Sequence, residues 1–86
     1  MPNNLNVNIV SPSGEILSGE AKSVIAPGSL GQMTILPKHA SLLSSLSKGK
    51  IIVNLENGEG SEFEIDAGFL EVSNDKLTII IEKLSQ

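Results

Sequence analysis

A chain of 86 residues, 40% of them hydrophobic and 19% charged, has the size of one small domain spanning 1–86 and is too apolar to stay unfolded. Size scaling leaves such a domain a thin core, burying roughly 60 to 65% of the surface its unfolded chain exposes. Net charge is −4, all six basic residues are lysines, and Phe63 and Phe69 are the only aromatics, so the chain lacks both the basic stripe and the stacking platform of a nucleic-acid binder.

The absence of cysteine removes disulfides and thiolate metal sites. The opening MPNNLNVNIVSPSG has neither a cationic leader nor an apolar block, and no run approaches the roughly 18 apolar residues of a membrane-spanning helix. A domain on the cytosolic side, or one docked on something larger, is expected.

Leu5, Val7 and Ile9 alternate with Asn6 and Asn8, the period of a half-buried strand. Ser11-Pro12-Ser13-Gly14 turns the chain, Glu15 to Ser18 forms a short return, and Gly19 punctuates again before Ala21 to Ala26. A second turn, Pro27 to Gly31, precedes a short strand in which Met33 and Ile35 alternate with Gln32 and Thr34. Pro37 ends that strand or confines it to a sheet edge.

From His39 to Lys48 the pattern is ambiguous, because Leu42, Leu43 and Leu46 also fit one face of a short helix; the serines among them favour an extended chain. Ile51, Val53 and Leu55 then alternate clearly, and Asn57-Gly58-Glu59-Gly60 supplies the strongest hairpin turn. On the returning strand Phe63, Ile65 and Ala67 share one face, opposite Glu62, Glu64 and Asp66. Gly68 interrupts before Phe69 to Val72. Ser73-Asn74-Asp75 turns the chain into a last strand, Lys76 to Glu82, with Leu77, Ile79 and Ile81 on one face. Strand after strand, with turns roughly every 8 to 12 residues and no long helix, predicts an all-β sandwich or barrel.

Catalytic readings find little support. His39 is the only histidine, so a multi-histidine metal site is impossible, and no serine sits in G-x-S-x-G. His39 reads instead as a loop-fixing or partner-facing residue. Gly28-Ser29-Leu30-Gly31 has the spacing of a loop that clamps a nucleic-acid backbone, but the helices and basic surface such a module needs are missing, and a tight turn is the simpler reading. Glu56, Glu59, Glu62, Glu64 and Asp66 lack the order of a calcium loop and read as a solvated face. Asp75-Lys76 admits one alternative function, since lipoyl and biotinyl carrier domains are acidic all-β modules that modify a hairpin lysine. Leu77 and the Ser73-Asn74 turn do not match the flanks of that lysine.

The order of motifs resembles a known family. L-x-V-x-I-V-S-P at Leu5 to Pro12 and Gly19 come first, followed by a glycine-punctuated loop at Gly28 and Gly31. I-x-P-x-H at Ile35, Pro37 and His39 comes next, then Leu42 and Leu43, Gly49 before Ile51 and Val53, G-F-L-E-V at Gly68 to Val72, and L-T-I at Leu77 to Ile79. This is similar to the N-terminal domain of the epsilon subunit of F-type ATP synthase, called delta in mitochondria. The resemblance implies a flattened sandwich of two five-stranded sheets and a non-catalytic part of the rotor, packed against the gamma subunit and resting on the membrane c-ring to couple ATP synthesis to proton transport. It implies a peripheral place at the cytoplasmic face of the membrane or its organellar equivalent, held there only through the complex, with no cofactor, metal or small-molecule ligand.

By the same resemblance Gly28, Ser29, Leu30, Gly31 and Gln32 match a turn facing the ring, while Pro37, His39, Leu42 and Leu43 match a segment near the gamma contact. The chain departs from the family at Thr34 and Lys38, where glycine is common, and at Gln32, where an acidic residue is frequent. Many relatives continue into a C-terminal helical hairpin that can inhibit the motor or bind ATP. This sequence stops at Gln86, so neither self-inhibition nor a nucleotide site is expected.

Overall fold

The alternation at the start of the chain builds β1 (Leu5–Ser11): Leu5, Val7 and Ile9 are fully buried, while Asn6 and Asn8 point to solvent. The computed structural model describes residues 4–84. Among them are six further strands and no helix: β2 (Gly14–Gly28), β3 (Gly31–Ile35), β4 (Leu42–Leu46), β5 (Gly49–Leu55), β6 (Gly60–Ser73) and β7 (Lys76–Leu84). The ambiguous leucine segment is therefore extended, as its serines favour.

Seven strands make two five-membered layers because β2, β6 and β7 each serve both. One layer runs Gly14–Ala21 of β2, then β1, β7, the Gly68–Ser73 half of β6, and β4. The other runs β3, Ser23–Gly28 of β2, β5, Gly60–Ile65 of β6, and the end of β7, where Leu84 pairs with Ile65. Among the described residues only the β1–β7 pairing is parallel. A single register pair, Gly28 with Leu46, joins β2 to β4 where the layers meet. The result is the flattened sandwich expected, with extents of 37 × 24 × 19 Å.

Two glycines expected to break strands do not. β2 runs 15 residues straight through Gly19, and β6 runs 14 residues through Gly68. Each changes layer at an irregularity, between Ala21 and Ser23 in β2 and between Ile65 and Gly68 in β6. Each irregularity also switches which side chains face inward. Ala21 is buried before the shift and Val24 and Ala26 after it; Ile65 is buried before and Leu70 and Val72 after. One long bent strand can thus keep an apolar face on the core in both layers.

The second irregularity alters the acidic face. Asp66 sits within it, half-buried, and its Oδ1 is enclosed without a hydrogen-bond partner, so the solvated reading fails there while Glu62 and Glu64 remain exposed. The core itself is aliphatic. Ile35, Ile51, Val53, Leu77, Ile79 and Ile81 join the residues above, Phe63 packs at its margin, and no polar or charged residue among those described is buried.

Candidate docking surface

Residues 28–32 form the tip of the β2–β3 hairpin. Gly28 pairs with Gly31 across a Ser29-Leu30 turn, and the Leu30 side chain stands free in solvent at 105% relative exposure. Gly28 is buried, and a Cβ there would lie 2.7 Å from the Gly31 carbonyl oxygen and 3.2 Å from the Met33 side chain, so only glycine permits so close a return. The tip is stitched to β4: the Ser29 amide donates to the Ser45 carbonyl at 3.1 Å, the two hydroxyls lie 2.7 Å apart, and the Ser47 amide donates to the Pro27 carbonyl at 2.8 Å.

Pro37 and His39 lie beyond the other end of β3. Leu36 to His39 is a β-turn closed by the His39 amide donating to the Leu36 carbonyl at 3.2 Å, with Pro37 second and Lys38 third at φ 67°. Proline second and a left-handed third residue are the pattern of a type II turn, which favours glycine at the third position. That geometry suits the glycine which the resemblance implies where this chain has Lys38. The Lys38 amide, unused by the turn, donates to Asp75 Oδ1. His39 is half-buried, and its Nδ1 lies 2.7 Å from the Ala40 carbonyl oxygen. Since a carbonyl can only accept, Nδ1 carries the proton in this bond.

The nine residues assigned by resemblance thus fall at opposite ends of β3, Gly28 to Gln32 at its start and Pro37, His39, Leu42 and Leu43 beyond its end. β4 runs between them. Leu43 is 75% exposed on its outer side, whereas Leu42 packs against the core and offers the surface little.

A row missed by sequence reasoning crosses the same outer face. Register pairing aligns Val10 with Ile80, Ile80 with Phe69, and Phe69 with Ser45, which reaches the Ser29 tip. Phe69 and Ile80 are 44% and 49% exposed, and Leu43 lies diagonally from Phe69, one pair along with Glu71. The signal was present: with Ile79 and Ile81 facing in, Ile80 must face out, and Phe69 alternates against Leu70 in the same way. Glu71 and Glu82 flank this row on the outward positions of β6 and β7. Scattered apolar residues on a surface mean little, but a contiguous row with charged flanks marks a place where another protein can settle.

Two other kinds of site are absent among the described residues. No three His, Asp or Glu side chains gather as a metal site, and no helix is long and apolar enough to cross a membrane. Lys76, the lysine of the carrier alternative, follows a two-residue turn, Asn74-Asp75, with both φ values positive at 52° and 62°. That is the type I′ geometry of a tight hairpin, in which Asp75 is tied on two sides: its carboxylate accepts from Lys38 and its carbonyl from the Asn6 amide at 2.8 Å.

Residues 4–85 match the family described as the ATP synthase Delta/Epsilon chain, beta-sandwich domain. The ATP synthase epsilon chain of Xanthomonas oryzae pv. oryzae strain MAFF 311018 is 44% identical over 78 residues, covering 91% of this chain and 56% of the relative. That of Stenotrophomonas maltophilia strain K279a is 42% identical with the same coverage. The chain spans about half the length of these curated relatives. Among solved structures, a chain of the Euglena gracilis mitochondrial ATP synthase assembly of OSCP, F1 and c-ring superposes with a TM-score of 0.90 at 20% identity, covering 99% of this chain and 54% of the other. A chain of the Tetrahymena thermophila mitochondrial ATP synthase central stalk and c-ring gives 0.78 at 19% identity, with 95% and 66% covered. At such identities the likeness is one of fold.

Proposed function

Because this chain belongs to the family of ATP synthase delta/epsilon-chain β-sandwich domains, we propose that it is a non-catalytic central-stalk subunit of an F-type ATP synthase. It docks on the gamma subunit and rests on the c-ring, and so couples rotation of the ring to ATP synthesis. The family match over residues 4–85 is the observation that carries this reading.

The surface suits the role. A stiff β scaffold presents an outer face with the Val10, Ile80, Phe69 row and Leu43, which offers the gamma subunit an apolar centre with an acidic border. The Leu36 to His39 turn lies at one end of β4 and the Ser29-Leu30 tip at the other, so two contacts can be made at once. We assign the turn, His39 and Leu43 to the gamma subunit and the tip, from Gly28 to Gln32, to the ring. The chain then stays at the membrane's cytoplasmic face, or its organellar equivalent, only through the complex. No nucleic acid or small-molecule ligand enters the scheme.

Co-purification with the cognate gamma subunit tests the reading. A stable one-to-one complex at micromolar concentration is expected, and its absence would sink the assignment.

A further inference from the structure

Lys38 occupies a left-handed backbone position, φ 67°, that L side chains adopt reluctantly, and the turn's own hydrogen bond, from His39 to Leu36, leaves the Lys38 amide unused. The acceptor for that amide comes from 37 residues further along the chain: Asp75 Oδ1, at the tip of the β6–β7 hairpin. Asp75 is in turn held by the hairpin and by the bond from Asn6 to its carbonyl. The carboxylate is therefore a fixed post, and a charge-assisted bond from it orients the peptide on which Pro37 and His39 are mounted. With the turn so oriented, the bond from His39 Nδ1 to the Ala40 carbonyl holds the imidazole ring in place.

We propose that Asp75 is a positioning residue for docking: it touches no partner itself but locks the Leu36 to His39 turn in the shape that presents Pro37 and His39. This rests on the reading that the turn meets the gamma subunit. The hairpin carrying Asp75 thereby becomes part of the docking apparatus, although its own turn lies outside the contact.

The test uses the full chain and its cognate gamma subunit. Asp75→Gly removes the carboxylate while giving the hairpin the Asn-Gly pair that type I′ turns favour, so the fold is retained. Asp75→Asn keeps an oxygen that can accept the Lys38 amide. Binding by calorimetry and amide exchange at Lys38 by NMR are measured for each. Asp75→Gly is expected to weaken binding about fivefold to tenfold, of the order for one typical intramolecular hydrogen bond, and to speed Lys38 exchange in the free chain. Asp75→Asn is expected to restore most of both. A wild-type complex that Asp75→Gly leaves equally tight would overturn the proposal, as would equal losses in the two variants. Failure of the wild-type chain to bind gamma would overturn the docking reading itself. Unchanged Lys38 exchange in Asp75→Gly would separately remove the lock.

Discussion

A Cβ placed on Gly68 would lie 2.6 Å from the Ile80 carbonyl oxygen, so β6 and β7 approach here more closely than any side chain permits. The approach occurs where β6 passes from one layer to the other, and the obstructing atom belongs to backbone that cannot swing aside. Gly68→Ala is therefore expected to destabilise the domain by about 1–3 kcal/mol, the range for overpacking. Urea denaturation would check it, with a lowered midpoint and an unchanged slope expected.

Lys38 should respond in the opposite direction. Lys38→Gly relieves a left-handed residue at a cost of about 1–2 kcal/mol, partly offset by the roughly 0.5–1 kcal/mol of freedom that glycine loses on folding. A net gain of up to about 1 kcal/mol is expected, with the amide bond to Asp75 still available. Thermal unfolding would show it as a rise of a few degrees for a domain of this size.

Phe69→Lys and Ile80→Lys place a charge in the middle of the outer apolar row. Both side chains are already about half exposed, so folding stability should change by no more than about 1 kcal/mol. Affinity for the gamma subunit should fall at least about tenfold, the scale of a centrally placed interface residue. Paired circular-dichroism melts and binding titrations separate the two effects. Tight binding by both variants would show that the contact uses another face.

Lys50 reaches Glu62 diagonally across β5 and β6 at 3.7 Å, with side chains 56% and 59% exposed. Solvent screens such a pair, and its removal by Lys50→Gln should cost about 0–0.5 kcal/mol. Melting curves at low and high salt would test this: the small difference between variant and wild type should disappear as salt rises.

Much of the fold was legible because period-2 alternation states directly which side chains face inward. Leu5 to Ile9, Ile51 to Val53 and Leu77 to Ile81 read the same in sequence and in space. Gly19 and Gly68 misled, because a glycine inside a strand looks the same whether it ends the strand, bends it or lets a neighbouring backbone come close. The candidate site was legible only in pieces. Leu30 and Leu43 stand out on the surface, but Leu42, beside Leu43, turns to the core. Phe69 and Ile80 could have been placed outside by their alternation. That they lie in one row with Val10 could not, since the row depends on the parallel register between the first and last strands.

The glycine, proline and histidine segment from Gly28 to Ile51, with the motifs around it, was enough to identify the family, because local turn chemistry and strand period leave their marks in neighbouring residues. Tertiary structure alone decided what sets the Leu36 to His39 turn. Its brace is a carboxylate 37 positions away, and a hydrogen bond between residues so distant is fixed by how the sheets close, a property of the whole packed chain that no local pattern records.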